Sequence, residues 1–265
     1  MILSHNDIAA VPHYQRIISL VPSQTELLYE LGVGDSVVGI TKFCVHPSEW
    51  HKNKKRVGGT KNVDMDVLFS LQPDLVIANK EENVREQVEA IAKRCNVWVT
   101  DVNDLAEATQ MITDIGQLTD TVEKAQQIAS HIESRFQDLL SRINKAQLIS
   151  TAYFIWKDPW MVAAADTFID TMLRYCGLQN VYAHFPRYPE VSLHELNVLN
   201  PGLILLSSEP YPFSEKHKIA LQQQFPHWDI RCVDGEMFSW YGSRLLLSVS
   251  YFETLFATLQ SGKAS

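Results

Sequence analysis

The segment DMDVLFSLQPDLVIA, residues 64–78, predicts a capped helix followed by a buried strand. Asp64 is a preferred N-cap residue, and the helix runs to Leu71 before Pro73, which cannot continue helical hydrogen bonding, ends it. Residues 74–78 then form a short apolar run of the strand type. A strand buried on both faces belongs to a sheet covered by helices, so the segment indicates an α/β fold.

A second segment repeats this order later in the chain. It is SLHELNVLNPGLILL, residues 192–206, in which Pro201 takes the place of Pro73 between the helix and the strand. Leu199 and Leu203 likewise match Leu71 and Leu75. Two copies of one cap–helix–proline–strand unit indicate two related α/β lobes.

Between the two copies lies a stretch, Thr119–Ala146, that contains neither proline nor glycine and carries apolar residues at steps of three and four. The pattern predicts one continuous helix of about 28 residues, roughly 42 Å long. A coiled-coil dimer is one interpretation, and a rigid connector between two lobes is the one that we favour. The predicted division is an N-terminal lobe over 1–118, the connecting helix over 119–147 and a C-terminal lobe over 148–265. Because a helix without proline or glycine resists kinking, we expect only small closure on ligand binding.

Strand and helix signals alternate over the rest of the chain, which predicts mainly parallel sheets. Ser23 and Glu26 have the spacing of a capping box at the start of a helix that Gly32 ends. The other predicted strands are Arg16–Leu20, Val37–Thr41, Asn96–Thr100, Ile149–Ile155, Leu203–Ser207 and Asp229–Val233. The other predicted helices are Glu81–Arg94, Asp166–Cys176 and Ser243–Leu259.

Composition and charge narrow the class of protein. The chain has 265 residues, 46% hydrophobic and 20% charged, with a formal net charge of −8, as expected for a globular protein. Its densest basic stretch, Lys52–Arg56, is typical of a solvated loop, so nucleic acid is not an expected partner. The 4 cysteines are far apart in the sequence and do not have the spacing of a zinc site or a disulfide framework.

The N-terminal stretch lacks the basic, apolar and small-residue regions of a secretory leader. No apolar run reaches the roughly 18 residues that a membrane span requires. We therefore expect either a cytoplasmic protein, if Met1 is the native start, or a mature form from which a leader was trimmed.

The usual catalytic signatures are missing from the sequence. Neither a dinucleotide or phosphate-binding glycine motif nor a serine-nucleophile elbow is present, and His194–Glu195 lacks the second histidine of HExxH. His46 and His51 are separated by Pro47 and are typical of surface loops, with contact to a metal or cofactor as the alternative. The sequence therefore predicts a binding protein rather than an enzyme.

Aromatic residues instead accumulate at predicted strand ends and in loops. In open α/β sheets, ligands bind outside the carboxyl ends of the strands. Aromatic loops at that edge suit a large, flat, partly apolar ligand. The residues concerned are Phe43, Trp156, Trp160, Tyr182, Phe185, Tyr188, Tyr211, Phe213, Phe238, Trp240 and Tyr241.

Several motifs taken in order resemble one family. RIISLVPSQTELLYELG, VVGITKFCVHP and VGGTKNVDMDVLFSLQPDLVIA precede the long helix, and SLHELNVLNPGLILLS follows it. Over residues 16–260 the chain is similar to the substrate-binding proteins of ABC importers for vitamin B12, iron-siderophores and haem, and especially to the cobalamin-binding branch. The resemblance implies two Rossmann-like lobes joined by one rigid helix, with the ligand in the cleft between them.

The resemblance also implies a set of ligand-contacting residues. Phe43 replaces a family tyrosine, Thr60 and Tyr188 replace tryptophans, and Trp156 replaces a phenylalanine. The implied ligand is a metal chelate, namely a cobalamin-like corrinoid or alternatively haem or a ferric siderophore, with neither an intrinsic cofactor nor a protein-bound metal. The implied binding residues are Pro22, Ser23, Phe43, Thr60, Asn79, Lys80, Trp156, Tyr188, Phe238, Trp240 and Arg244.

Family members dock on an ABC permease through one acidic residue on each lobe. In this chain the first docking position is occupied by Asp66. The second is occupied by His194, and Glu195 is the next residue. The resemblance thus implies a monomer that is periplasmic or lipid-anchored and has a permease as partner.

Two alternatives remain from the sequence. The first is a cytoplasmic protein that binds a corrinoid or another metal complex without a permease. The second is a chelatase-like enzyme, in which His46 or His184 would face Glu190 or Glu236.

Overall fold

The computed structural model describes residues 1–3, 5–10, 13–143 and 148–261. The chain divides into two compact units. Unit 1 comprises Met1–Val102, Ala106–Glu133 and Trp240–Arg244, and unit 2 comprises Asn103–Leu105, Ser134–Ser239 and Leu245–Ser265. The predicted ranges treat each lobe as one contiguous stretch, whereas each unit takes in a short segment from elsewhere in the chain.

Unit 1 contains a sheet whose pairings among the described residues are all parallel. The strand order is β1-β6-β5-β2-β3-β4. The strands are β1 (Ile2–Leu3), β2 (Ile17–Ser19), β3 (Val37–Ile40), β4 (Lys55–Arg56), β5 (Leu75–Asn79) and β6 (Asn96–Thr100). Every residue of β5 is buried, as a strand covered on both faces requires.

The helices of this half of the chain follow the strands. A short 3-10 helix (His5–Ala10) comes first. The α-helices are α1 (Pro22–Leu31), α2 (Ser48–Asn53), α3 (Met65–Ser70), α4 (Arg85–Ala92), α5 (Leu105–Leu118) and α6 (Val122–Ser141). One core cluster joins Ile18, Val76 and Val97 of the sheet to Leu68 of α3 and Ile91 of α4.

Unit 2 contains a second sheet, in which β10 pairs in parallel with both β7 and β11. β9 pairs in parallel with residues 149–151 of β7, and β8 pairs antiparallel with its carboxyl end. The strands are β7 (Ile149–Trp156), β8 (Met161–Val162), β9 (Leu178–Asn180), β10 (Leu203–Ser207) and β11 (Ile230–Val233). The helices are α7 (Phe168–Tyr175), α8 (Leu193–Leu199), α9 (Glu215–Gln224), α10 (Glu236–Ser239) and α11 (Leu245–Ser261). The predicted α/β class with mainly parallel sheets is confirmed.

The repeated segments form the same local structure in the two units. In unit 1 the Asp64 side chain caps α3 by accepting a hydrogen bond from the Val67 amide at 3.0 Å. In unit 2 Ser192 accepts from the Glu195 amide, and the Glu195 carboxylate accepts from the Ser192 amide, which is a capping box. Both helices lead into strands, β5 and β10, whose residues are all buried.

The predicted start of α1 is wrong in detail. The helix begins at Pro22, with Val21 as an N-cap that has no side-chain cap hydrogen bond, and Ser23 lies inside the first turn. Proline is favoured at this position because its missing N–H would have no helical partner there. Gly32 ends α1 in the left-handed region, at φ 85°, as predicted.

The long helix is shorter than its sequence pattern suggests. α6 has 20 residues, and the preceding α5, which the sequence analysis did not identify, ends at Leu118. Asp120 separates them with a φ of 57°, a left-handed conformation that aspartate tolerates better than most residues. Residues 144–147, at the predicted carboxyl end, lie outside the described residues. The boundary between the two units falls after Glu133, inside α6.

No helix within the described ranges is both long and apolar enough to cross a membrane.

Candidate functional site

The carboxyl ends of β2, β3 and β5 hold several of the predicted binding residues of unit 1. Pro22 and Ser23 follow β2, Phe43 follows β3, and Asn79 and Lys80 stand at the end of β5. Because these strands are parallel neighbours, their carboxyl ends lie at one edge of the sheet, where open α/β folds bind ligands.

Buried polar groups occur at the start of α1. Ser23 is 3% exposed, and its Oγ has no hydrogen-bond partner among the described residues. The Gln24 Oε1 atom and the Ser243 hydroxyl share this property. The chain at Gly242 passes so close that a Cβ there would lie 3.2 Å from the Ser23 carbonyl oxygen. These buried atoms therefore have hydrogen-bonding capacity that the described residues leave unused.

Phe43 exposes an aromatic face at the same edge of the sheet. Its side chain is about half exposed, at 50%, three positions after the end of β3. The Lys42 ammonium lies 5.0 Å from the ring centroid. An exposed phenyl ring beside a cation suits a flat apolar surface that has a polar or anionic edge.

Asn79 is buried and is held by hydrogen bonds within the fold. It is 1% exposed, its side-chain amide donates to the Thr100 carbonyl at 3.1 Å, and its Oδ1 accepts from the Glu81 and Glu82 amides. Lys80 is exposed, and its ammonium lies 2.5 Å from the Asp101 carboxylate. These hydrogen bonds give Asn79 a structural role, and its assignment as a ligand contact stays a prediction.

Thr60 lies between exposed and buried in unit 1, and its carbonyl accepts a hydrogen bond from the Asn83 side chain at 3.0 Å. This hydrogen bond involves the backbone of Thr60 only, so ligand contact by the Thr60 side chain stays a prediction.

Trp240 and Arg244 belong to unit 1 although they come from the end of the chain. Both are 7% exposed. The Arg244 guanidinium lies 4.8 Å from the Trp240 ring centroid and forms two hydrogen bonds with the Glu26 carboxylate. The indole of Trp240 also meets the His46 imidazole edge-on, with centroids 5.5 Å apart. The sequence predicted Glu26 only as part of a capping box, because its ion-pair partner Arg244 is distant in the sequence.

Unit 2 has aromatic side chains where β7 and β10 end. Trp156 is the last residue of β7 and is 40% exposed, and its ring lies 5.6 Å from Tyr211. Tyr211 contacts Phe213 at 4.7 Å, and Phe213 stacks on Trp160 at 6.0 Å. We call Trp156, Trp160, Tyr211 and Phe213 the aromatic cluster of unit 2. Tyr211, which packs on the buried Phe213, contacts Trp156, and the exposed part of Trp156 is the surface that the cluster offers to a ligand.

Tyr188 lies on a segment that runs alongside β8. The Ala164 amide donates to the Arg187 carbonyl at 2.8 Å, and the Val162 amide donates to the Pro189 carbonyl at 3.2 Å. Tyr188 is partly exposed, with the Arg187 guanidinium 5.8 Å from its ring. These backbone contacts give Tyr188 a fixed place in unit 2.

Phe238 is a core residue. It is 0% exposed, and its ring packs against Tyr153 at 5.1 Å, Phe252 at 4.8 Å and Tyr251 at 6.2 Å. These contacts, with β7 and α11, give Phe238 a structural role, and its family-based assignment as a ligand contact stays a prediction.

The predicted docking residues are exposed. Asp66 stands in the first turn of α3, and His194 and Glu195 stand in the first turn of α8. Acidic side chains stabilise a helix in this position, so their surface charge also has a structural role.

No group of three or more histidine, cysteine, aspartate or glutamate side chains is arranged to hold a metal ion in the part of the chain that the structure describes. His184, one of the residues considered for a chelatase, is exposed, and its ring packs 4.3 Å from Phe185. Of the two glutamates considered as its partners in a chelatase, Glu190 is exposed and Glu236 is partly buried.

Two α/β units with mainly parallel sheets, each with aromatic and polar residues after its strands, are the architecture expected of a substrate-binding protein. The model for the family described as "periplasmic binding protein" matches residues 17–226, and the chain belongs to this family. The predicted family is confirmed.

Three similar proteins illustrate the relationship. An uncharacterized ABC transporter substrate-binding lipoprotein of Bacillus subtilis is 31% identical over 211 residues, which cover 76% of this chain and 66% of that protein. The structure of the periplasmic vitamin B12 binding protein of Vibrio cholerae matches with a TM-score of 0.77 at 23% identity, covering 93% of this chain and 98% of that one. The periplasmic haem-binding protein of Roseiflexus matches with a TM-score of 0.76 at 22% identity, covering 91% and 97%. At these identities the two structures support the fold alone.

Proposed function

We propose that this protein is the substrate-binding component of an ABC importer and captures a corrinoid or a related metal chelate. The observation that carries the proposal is the exposure of two aromatic side chains, Phe43 and Trp156, at the carboxyl ends of strands in a periplasmic binding protein. Aromatic surface that a fold leaves exposed at its ligand-binding edge suits a flat, partly apolar molecule.

The polar residues of unit 1 fit the periphery of such a molecule. A corrinoid carries amide side chains, and haem carries carboxylates. The Lys42 ammonium beside Phe43 favours a carboxylate. The Ser23 and Ser243 hydroxyls, which the fold covers, can bond either group only once ligand binding uncovers them. The corrinoid is our first candidate because of the cobalamin-like motifs, and haem or a ferric siderophore is the alternative.

Titration of the purified chain tests the proposal. The probes are cyanocobalamin, dicyanocobinamide, ferric haemin and a ferric hydroxamate siderophore, followed by their visible absorbance and by quenching of tryptophan fluorescence. We expect saturable one-to-one binding of at least one probe, and the failure of all four to bind would overturn the proposal.

A substitution at Trp156 links binding to the site. Trp156→Ala is expected to weaken binding at least about tenfold, because the lost aromatic contact is worth more than about 1.4 kcal/mol at a binding hot spot. Ile219→Ala is the matched control, since Ile219 is 54% exposed in unit 2 but lies on α9. Equal loss in both variants would count against a site at Trp156.

We also propose that the protein binds and releases the ligand unchanged and uses no intrinsic cofactor. We further propose that it acts as a monomer and does not bind nucleic acid. Chromatography of the released ligand tests the absence of turnover, and light scattering tests the monomer. A chelatase would instead convert a metal-free tetrapyrrole and a divalent metal into the chelate.

The proposed location is periplasmic or lipid-anchored, in line with the description of the family and with the lipoprotein of Bacillus subtilis. Fractionation of the native host tests this point. Recovery of the native protein from the cytosol alone would favour the alternative of a cytoplasmic binding protein without a permease.

A further inference from the structure

A tyrosine and a histidine contact each other beside the exposed ring of Trp156 in unit 2. The Tyr211 hydroxyl oxygen lies 3.2 Å from the His217 Nε2 atom, and the two rings meet edge-on with centroids 5.4 Å apart. The Tyr211 ring also packs edge-on against Trp156, and its amide donates to the Ile155 carbonyl at 3.2 Å. Because β7 and β10 are parallel neighbours, Trp156 and the segment that follows β10 lie at the same edge of the sheet.

The hydrogen bonds of His217 define which of its ring nitrogens carries a hydrogen. The Ser214 amide donates to Nδ1 at 3.1 Å, so Nδ1 is an acceptor without a hydrogen. Burial, followed by the charges of Lys216 and Lys157, lowers the pKa of His217, so the ring is neutral at pH 7. In a neutral imidazole the other nitrogen is then the donor, and Nε2 donates to the Tyr211 oxygen.

This arrangement leaves the hydrogen of the Tyr211 hydroxyl available. The oxygen accepts from His217, and a phenolic hydroxyl that accepts one hydrogen bond can donate another. Among the residues that the structure describes, His217 is the one hydrogen-bond partner of this hydroxyl. Tyr211 and His217 are both partly exposed, so the donor belongs to the surface at which Trp156 is exposed.

The nearest part of β7 adds a cation to this surface. Lys157 follows Trp156 directly, and its ammonium lies 5.8 Å from the Trp160 ring centroid. The ammonium is 3.9 Å from the exposed Asp158 carboxylate, which is longer than a hydrogen bond. A hydroxyl hydrogen and an ammonium beside an exposed indole favour a flat ligand that carries oxygen acceptors on its rim.

On the basis of the proposed function, we infer that Tyr211 is a specificity-determining residue that donates a hydrogen bond to an oxygen on the rim of the bound chelate. His217 is the positioning residue that orients this hydroxyl. The accepting oxygen is an amide carbonyl in a corrinoid and a carboxylate in haem. The proton stays on Tyr211, and the metal is not involved.

Removal of the hydroxyl alone tests the role of Tyr211. Tyr211→Phe keeps the ring that packs on Trp156 but lacks the donor. Each of the four probes that binds the wild type is titrated at pH 7, and we expect Kd to rise about threefold to tenfold for at least one of them. Tyr175→Phe is the matched control, since Tyr175 is a partly exposed tyrosine of unit 2 that lies on α7, and it should leave Kd unchanged.

The probes distinguish the two sources of the oxygen. A rise in Kd for the corrinoids alone identifies an amide carbonyl, and a rise for haemin alone identifies a carboxylate. The visible bands that report the axial ligands of the metal should be the same in wild type and Tyr211→Phe. A change in these bands would show that Tyr211 binds the metal instead, and would overturn the inference.

Two substitutions of His217 separate the positioning of Tyr211 from the contact with Ser214. His217→Gln can place an amide donor near the position of Nε2, whereas His217→Asn can place an acceptor near the position of Nδ1. We expect His217→Gln to retain the wild-type Kd, and His217→Asn to lose affinity by at most the factor seen with Tyr211→Phe. Urea unfolding of both variants shows whether affinity merely follows stability. Equal loss of affinity in the two variants would overturn the positioning role.

The outcomes separate this inference from the proposed function. Saturable binding with the same Kd for wild type and Tyr211→Phe, with every probe that binds, would overturn the inference and leave the proposed function standing. An equal rise in Kd with Tyr175→Phe would overturn the assignment to Tyr211. Failure of every metal chelate to bind would overturn both.

Discussion

Arg244 and Glu26 are 218 positions apart in the chain and form a two-pronged ion pair inside unit 1. Their side chains are 8% and 16% exposed, so water screens the pair little. The pair attaches the short segment 240–244 to α1, and the same segment carries Trp240. A buried pair of this kind is costly to break from one side, because the remaining partner becomes an uncompensated buried charge.

The first prediction concerns the strength of this attachment. Glu26→Gln and Arg244→Met should each lower the free energy of unfolding by about 3–5 kcal/mol. The double variant should lose less than the sum of the two single losses, because it leaves no buried charge. Urea unfolding of the four proteins measures this cycle. Additive losses would show that the two side chains do not stabilise each other.

A second prediction separates two neighbours at the end of β5. Asn79→Ala should lower the free energy of unfolding by about 1–3 kcal/mol, since it removes hydrogen bonds to the buried Thr100 carbonyl and to the partly buried Glu81 and Glu82 amides. Lys80→Ala should change it by no more than about 1 kcal/mol, because its ion pair with Asp101 is exposed. Chemical denaturation measures both. A larger loss for Lys80 than for Asn79 would contradict the structural role assigned to Asn79.

The third prediction contrasts two aromatic residues of unit 2. Phe238→Ala should cost about 3–5 kcal/mol of unfolding free energy, because it opens a cavity among Tyr153, Tyr251 and Phe252. Trp156→Ala should cost about 1 kcal/mol or less, because the side chain is substantially exposed. Thermal and urea unfolding of the two variants tests the contrast. Similar stability in both would show that Phe238 is not the core residue described above.

Local sequence patterns predicted the central strands well. β6 and β10 have the predicted bounds, Asn96–Thr100 and Leu203–Ser207, because continuous apolar runs between turn residues leave few alternatives. The break between α5 and α6 was not predictable in this way. It depends on the left-handed backbone at Asp120, and apolar periodicity does not report the conformation of a single residue.

The candidate site was harder to predict than the fold, for a physical reason. Family position put both Phe238 and Trp156 in the binding set, yet one ring is fully buried and the other is substantially exposed. The difference arises from tertiary packing around α10 and α11, which no local pattern encodes. The ion pair of Glu26 was overlooked for the same reason, since it depends on an arginine near the other end of the chain.

The fourth prediction is a loss of stability at alkaline pH caused by Tyr182. Burial, with a smaller contribution from the Glu195 charge, raises the pKa of Tyr182 to about 12. The unfolded chain therefore releases this proton near pH 10, whereas the folded chain keeps it. Its contribution to stability is complete below pH 10 and decreases between pH 10 and 12, by about 1.4 kcal/mol per pKa unit.

Tyr182→Phe tests this assignment. The Tyr182 hydroxyl is buried and has no hydrogen-bond partner among the described residues, so its removal should leave stability at pH 7 unchanged or raise it by up to about 1 kcal/mol. The variant should also have a flatter stability profile from pH 10 to 12. Urea unfolding across this range measures the slope, and parallel profiles for wild type and variant would contradict the role of Tyr182.

The last prediction concerns the acidic residues proposed to dock on a permease. Asp66 and Glu195 are exposed in the first turns of α3 and α8, the two copies of the repeated unit. Asp66→Asn and Glu195→Gln remove each charge with little change in shape, and glutamine can retain the capping box of Ser192. We expect ligand affinity to be unchanged and uptake in the native host to fall about tenfold, as when one partner of an interfacial charge pair is lost.

The control for this experiment is Glu123→Gln, which removes an exposed charge from the first turn of α6. Uptake of the ligand identified by titration should be normal in this variant, because the prediction assigns docking to α3 and α8 and not to net charge. One copy of the repeated unit has Asp66, and the other has His194 followed by Glu195. Comparing Asp66→Asn with Glu195→Gln therefore also separates the contributions of unit 1 and unit 2 to docking. Normal uptake with Glu195→Gln and reduced uptake with Asp66→Asn would restrict acidic docking to unit 1. Normal uptake with both would remove these residues from the permease contact altogether.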